Sequence, residues 1–251
     1  MTKQNKILMV VFAVGIAVCV FLAGLLIGKM PANPSSGNND TKAPSTEAPL
    51  NDMNTTEDEE TTPQAPTSDG LVYALVDDGS AYEVSGYTGT SGMVLIPSEY
   101  EGKLVTGIGE SAFSGSSKLR EITLSKNITI IGDFAFYNCS NLSNIVFTDK
   151  VQSIGDSAFE GCYGLKSLTL PYCLTSIGDR AFFTCNGVKS LTIPGSVTFI
   201  GKEAFYGCRG ITKLEFDGTM AEWQAMERKS YWHEMVPASK VTCLDGSIEL
   251  K

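Results

Sequence analysis

Four cysteines, Cys139, Cys162, Cys185 and Cys208, recur every 23 residues, and three aspartates, Asp133, Asp156 and Asp179, recur with them. Such thiols could act as nucleophiles, metal ligands or disulfide partners, and stacked carboxylates could hold calcium. Each chemistry needs companions that the chain does not bring. A thiol becomes a nucleophile beside a base or cation, yet the sequence has one histidine, His233, close to its C-terminus. One carboxylate per unit falls well short of the roughly six to eight oxygens that calcium takes. No G-x-S-x-G, HExxH, P-loop or dinucleotide motif occurs, and no C-x-x-C pair. The expectation is a chain without catalysis, metal or cofactor, in which His233 is a partly exposed cap residue and the aspartates stabilise exposed turns.

Pairing is the remaining chemistry for the cysteines. Stacked copies separated by about 4.8 Å point their side chains the same way, whereas a disulfide draws its Cβ atoms to about 3.8 Å. Ser116 fills the cysteine slot in the first copy, a swap that a steric role tolerates. The four thiols are therefore expected to be free, buried and small apolar fillers; Cys173 and Cys243 lie off the ladder and stay open.

The elements that must carry these residues are set by the repeat. Ile-Gly occurs at 108, 131, 154, 177 and 200, and Ala-Phe at 112, 135, 158, 181 and 204. The register continues through Leu119, Leu142, Leu165, Val188 and Ile211, then Ile122, Ile145, Leu168, Leu191 and Leu214. Apolar alternation in the [IL]-x-[LIF] part reads as a short half-buried strand, Ile-Gly as a tight turn, and A-F-x-x-C as one helical or 3₁₀ turn. Units of this size bury their apolar faces only by stacking, so the fold class is a repeat solenoid of short parallel strands with an inner phenylalanine ladder, Phe113, Phe136, Phe159, Phe182 and Phe205. Six parallel strands would span about 24 Å.

This combined spacing of I-G, A-F, C and L-x-x-I-x-L resembles the BspA-type leucine-rich repeats of bacterial surface proteins. The resemblance implies a leucine-rich repeat solenoid and a role in adhesion or in binding a host or matrix ligand.

The flanks differ from the repeats. Ile7 to Gly28 is a run of 22 uncharged residues with Lys3 and Lys6 before it and Lys29 after, long enough for a transmembrane helix. It exceeds the roughly 7–15 apolar residues of a cleaved signal, and the lysine bias places the N-terminus inside and the bulk outside; secretion after cleavage is the alternative. Residues 31–69 form an acidic Pro/Ser/Thr tether, residues 70–107 an N-terminal cap with a hairpin at Asp78-Gly79 and an irregular first coil, residues 108–218 five repeats, and residues 219–251 a C-terminal cap. That last cap opens on a Thr219–Glu222 capping box, lays Trp223, Met226 and Trp232 over the open core, and ends in a hairpin at Asp245-Gly246. Residues 1–30 comprise the cytoplasmic stub and anchor. Of the net charge of -9, the first 30 residues carry +3, the tether -7 and the remainder -5. A mildly acidic domain with no Lys/Arg cluster offers no footprint for nucleic acid and no basic patch for anionic lipid.

What remains for function is the outward face of the strands: Thr123, Val146, Thr169, Thr192 and Glu215, flanked by Glu121, Asn144, Ser167, Ser190 and Lys213. Solenoids present such rows to partners. The reading is a membrane-anchored, extracellular, adhesion-like protein that binds another protein or a surface glycan. The alternative is a structural or regulatory envelope component docked on a membrane partner of the same cell. Tyr137, Tyr163, Phe183, Tyr206 and Tyr172 mark an aromatic edge as a secondary site.

Overall fold

The computed structural model describes residues 67–250. The anchor read at residues 7–28 and the tether up to residue 66 lie outside the described residues. Among the described residues no helix is long and apolar enough to cross a membrane.

The described residues form a stack of coils, each built on two strands rather than one. One strand per coil is the half-buried segment expected from alternation: β3 (Met93–Leu95), β6 (Glu121–Thr123), β8 (Asn144–Val146), β10 (Leu168–Thr169), β12 (Ser190–Pro194), β14 (Lys213–Asp217) and β16 (Lys240–Cys243). These seven strands pair in parallel as two runs, β3-β6-β8 and β10-β12-β14-β16, and β17 (Gly246–Glu249) closes the second run antiparallel. The expected continuous ladder is thus interrupted between Val146 and Leu168. At that point Phe147 takes the slot held by Leu124 or Leu170 elsewhere and reaches the next coil's Phe159 edge-on, with centroids 5.8 Å apart.

A second sheet was not legible in the pattern. The residues ahead of each Ile-Gly form β5 (Lys103–Ile108), β7 (Ile130–Ile131), β9 (Ser153–Ile154), β11 (Ser176–Ile177) and β13 (Phe199–Ile200), stacked in parallel, and β15 (Glu227–Arg228) continues the stack from the C-terminal cap. With β1 (Leu71–Leu75), β2 (Tyr82–Tyr87) and β4 (Glu99–Tyr100) they make a nine-stranded sheet. Ile-Gly is therefore a strand end, and two-residue strands leave no alternation to read. The glycine is required by close stacking: a Cβ on Gly132 would meet Glu110 N at 2.9 Å and Gly109 C at 3.0 Å.

The A-F-x-x-C arc is not helical either. Two residues per coil hold left-handed backbone, Ser157 (φ 51) and Gly161 (φ 74) in one coil, Arg180 (φ 55) and Thr184 (φ 60) in the next. Between them, amides alternate in direction. Ser157, Phe159 and Gly161 donate to Asp179, Ala181 and Phe183 of the following coil, while Glu160 and Cys162 donate three residues back, to Ser157 and Phe159. A chain turning by successive β-turns thus keeps half its amides for the neighbouring coil, which a helix would consume internally.

Packing follows the 23-residue register. Leu165, Leu168, Leu170, Ile177, Ala158 and Phe159 are all buried, and the phenylalanines stack with centroids 5.0–5.2 Å apart and interplanar angles of 10° or less. The caps extend this column with other rings: Tyr87 lies 5.2 Å from Phe113, and Trp232 meets Phe205 edge-on at 6.4 Å. At the C-terminal end, α1 (Met220–Ala225) carries the capping box of Thr219 and Glu222, and Trp223, Met226 and Trp232 are buried as the sequence leads one to expect. Both hairpins form, β1–β2 and β16–β17. The fold also takes in Thr67, assigned from sequence to the tether. It bridges Val94 in parallel and so covers the edge of β3, a device that blocks further strand pairing.

His233 sits against this cap, its ring 4.3 Å from that of Trp232 and its Nδ1 buried without a hydrogen-bond partner. Burial pushes its pKa below the usual 6.5; Glu234 opposes this and Arg228 adds to it. The unfolded chain then binds the proton more readily, so the stability due to neutral His233 is present above about pH 6.5 and is lost as the pH falls below it. Urea midpoints measured between pH 7.5 and 5.5 should drop further for the wild type than for His233→Phe; equal drops would remove His233 from the acid response.

Candidate binding surface

The ladder residues that suggest chemistry are absorbed by the scaffold. Cys139, Cys162, Cys185 and Cys208 are free and buried. Each thiol points at the carbonyl oxygen of the phenylalanine 26 residues earlier, Phe113, Phe136, Phe159 and Phe182, at 3.0–3.3 Å. Burial pushes Cys139 and Cys208 up to about 12 and raises Cys162 and Cys185 as well, so these are protonated weak donors at neutral pH. Off the ladder, Cys243 is also free and buried.

The aspartates brace coils rather than their own turns. Asp133 Oδ1 accepts the amide of Asp156 at 2.7 Å, Asp156 that of Asp179 at 2.7 Å, and Asp179 that of Lys202 at 2.6 Å. One oxygen of each carboxylate is thereby committed to backbone. On the same arc, Arg180 contacts Glu160 at 2.6 Å and Glu203 at 3.1 Å and lies 3.9 Å over the ring of Phe183. Phe183 in turn stacks on Tyr206 at 5.1 Å, and Tyr137 meets Phe134 edge-on at 5.8 Å. Much of the aromatic edge is thereby engaged within the fold, whereas Tyr163 and Tyr172 stand 53% and 64% exposed.

The strand face is organised differently. Register places Glu121 beside Asn144 and Ser190 beside Lys213, and in the parallel row Thr123 beside Val146, Thr169 beside Thr192, and Thr192 beside Glu215. Every one of these side chains, with Ser167, is exposed or half-buried. Met93 and Leu95 extend the rows at one end, Lys240 and Thr242 at the other. Asn144, Ser167, Thr169 and Ser190 make no side-chain hydrogen bond among the described residues. The hydroxyls just ahead of the strands are spent on the stack in both sheets: Ser143 and Thr212 donate to Arg120 O and Lys189 O at 3.0 and 3.5 Å on this side, and Thr129, Thr175 and Thr198 donate to carbonyls of the preceding coil at 3.2, 2.9 and 3.3 Å on the other. On the strand face itself Thr192 reaches Glu215 at 3.5 Å, and the uncommitted side chains are Asn144, Ser167, Thr169 and Ser190.

A depression of ≈ 260 Å³ lies within the strand face, between Lys166 and Tyr172, with Leu168, Leu170 and Pro194 below and Ser167, Thr169, Ser190 and Thr192 around it. Lys166 and Tyr172 are the residues the outward-facing pattern missed, since they flank the strand instead of alternating along it. The fold also assembles cations that are scattered in sequence. Arg120, Ser143 and Lys166 stack on successive coils through Ser143 N to Arg120 O and Lys166 N to Ser143 O, and Lys189 continues the column at the next 23-residue step. The absence of a contiguous Lys/Arg cluster thus does not mean the absence of a cationic row; a scan at the repeat period would have found it.

Comparison with known proteins follows this geometry. A family model described as "BspA type Leucine rich repeat region" matches residues 103–226 in six copies, one more than the five in strict sequence register. Similar solved structures include a leucine-rich repeat protein of Bacteroides ovatus, at 32% identity over 69% of this chain and 46% of that one, with a TM-score of 0.58. A leucine-rich repeat protein of T. pallidum matches at 28% identity over 59% of this chain and 68% of that one, TM-score 0.57. A leucine rich cell surface protein of Faecalibacterium prausnitzii matches at 30% identity over 63% and 41%, TM-score 0.56. The chain spans less than half the length of the Bacteroides and Faecalibacterium proteins. No curated protein matches it. Residues 103–226, the stacked coils of this chain, are a BspA-type leucine-rich repeat region.

Proposed function

We propose that this chain is a non-catalytic binding protein, anchored in the cell membrane through residues 7–28 and displaying its repeat domain outside the cell. The strand face, Glu121 to Glu215, holds a macromolecular ligand, a protein or a surface glycan. The observation that carries this reading is the depression of ≈ 260 Å³ in the strand face, lined by Ser167, Thr169 and Ser190, whose side chains make no hydrogen bond among the described residues. The description of the Faecalibacterium neighbour as a cell surface protein and the apolar run at residues 7–28 support the location.

Photo-cross-linkers placed at Ser167 and Ser190 of the full chain on intact cells should yield adducts, and the same groups at Ser153 and Ser176 of the second sheet should not. Thr169→Glu with Thr192→Glu should reduce adduct yield about tenfold or more, because two unpaired carboxylates then face the partner. Adducts formed from the second sheet alone would overturn the assignment of the face. Protease added to intact cells should remove the repeat domain; protection until lysis would overturn its placement outside.

A further inference from the structure

From the same face we infer the ligand class: an extended acidic polysaccharide, a chain of uronate-like sugars, lying across the strands. This rests on the strand-face reading above. Arg120, Lys166 and Lys189 are exposed and make no ion pair among the described residues. They form one column at the entry side of the first-sheet strands, and Lys213, paired with Glu215 at 2.8 Å, continues it one position further along. Glu121, Glu215 and Asp217 are the acids of this face, while Asp133, Asp156 and Asp179 belong to the arc behind the second sheet, where each is tied to a backbone amide or a neighbouring aspartate. A domain that is net acidic therefore carries a cationic row where its free hydroxyls are.

Spacing selects among polyanions. Arg120 and Lys166 stand two coils apart with Ser143 between them, about 9.6 Å and close to the length of two pyranose units, the step at which the carboxylates of a two-fold polyuronate return to the same side. An extended acidic peptide presents same-side carboxylates about 6.8 Å apart and does not match that step. The adjacent groups fit sugar as well. Asn144, Ser167, Ser190 and Thr169 are small donors and acceptors suited to ring hydroxyls, and Tyr172 offers an exposed ring beside the depression for stacking on a sugar face.

The full chain in detergent should bind polygalacturonate, with affinity that falls as salt is raised, and should bind neutral dextran of equal length far more weakly. Arg120→Gln, Lys166→Gln and Lys189→Gln together should weaken polygalacturonate binding about tenfold, the summed effect of three exposed charge contacts, without moving the thermal midpoint. No binding of polygalacturonate, or equal binding of dextran, overturns the inference. Equal or tighter binding of polyglutamate at matched charge replaces the sugar with an acidic peptide and overturns it too. Binding that survives Thr169→Glu with Thr192→Glu, yet is lost in the cation variant, would instead overturn the strand-face reading on which this rests.

Discussion

Replacing Phe159 with alanine is expected to lower the free energy of unfolding by about 4 kcal/mol, the range for removing a fully buried ring from a close-packed core. Phe159 is 0% exposed, stacks on Phe136 at 5.0 Å and on Phe182 at 5.2 Å, and receives the edge of Phe147. Three ring contacts end at this side chain, and the two stacked rings belong to the coils on either side. In a one-dimensional fold the loss falls on the interfaces between neighbours, so the damage is directional: the coils before and after position 159 lose coupling as well as stability. Urea unfolding followed by far-ultraviolet circular dichroism should show a lower midpoint and a shallower transition, the sign of halves that no longer unfold together. The ring at the end of the column, Phe205, faces Trp232 edge-on instead of a sixth stacked phenylalanine. Its replacement should cost less coupling, because fewer coils lie beyond it. A change below about 1 kcal/mol for Phe159→Ala would show that the cavity collapses and that the column contributes little.

The column was legible because it is a property of types at fixed spacing. Phe, Ala, Ile, Leu and Cys recur at 23-residue intervals, and burial follows from stacking alone. The caps were legible for a local reason: Thr219 with Glu222 and the Asp-Gly turns carry their geometry in adjacent residues. What escaped depends on contacts between coils. The second sheet rests on two residues per strand, Ser153–Ile154 or Ser176–Ile177, too few to show a period. Asp156 reads as a turn residue because its true partner, the amide of Asp179, is 23 residues away. The left-handed residues are masked by identity, since Phe134, Ser157, Arg180 and Glu203 occupy one backbone slot with φ between 51° and 56° and share no side-chain chemistry. On the candidate site, the outward rows from Glu121 to Glu215 were readable by alternation. Lys166 and the cationic column were not, because they stand at strand ends and only the stack brings them together; Tyr172 was readable as part of an aromatic edge but not as a neighbour of the depression.

Gly178→Ala carries the second large effect, expected to be a loss of about 3 kcal/mol or more, as overpacking against rigid surroundings gives. A methyl group at Gly178 would lie 2.6 Å from Gly155 C and 2.7 Å from Asp156 N. Both atoms are backbone of the preceding coil, and that backbone is held by Gly178 N donating to Ile154 O at 2.9 Å and Asp179 N donating to Asp156 Oδ1 at 2.7 Å. Neither atom can swing away as a side chain would, so relief requires the coils to part, which stretches these bonds and opens the phenylalanine stack nearby. Against this, alanine restricts the unfolded chain and recovers about 0.4–1 kcal/mol; the steric term is larger and decides the sign. Gly115 separates this cause from conformational freedom. It has φ +70 with nothing within 4 Å of a built Cβ, so Gly115→Ala should cost only the left-handed strain of about 1–2 kcal/mol. The ordering matters more than either magnitude: thermal midpoints should fall further for Gly178→Ala than for Gly115→Ala. The reverse order would mean that coil spacing is compliant, and that the glycine after each isoleucine is kept for its backbone freedom instead of for the room it leaves.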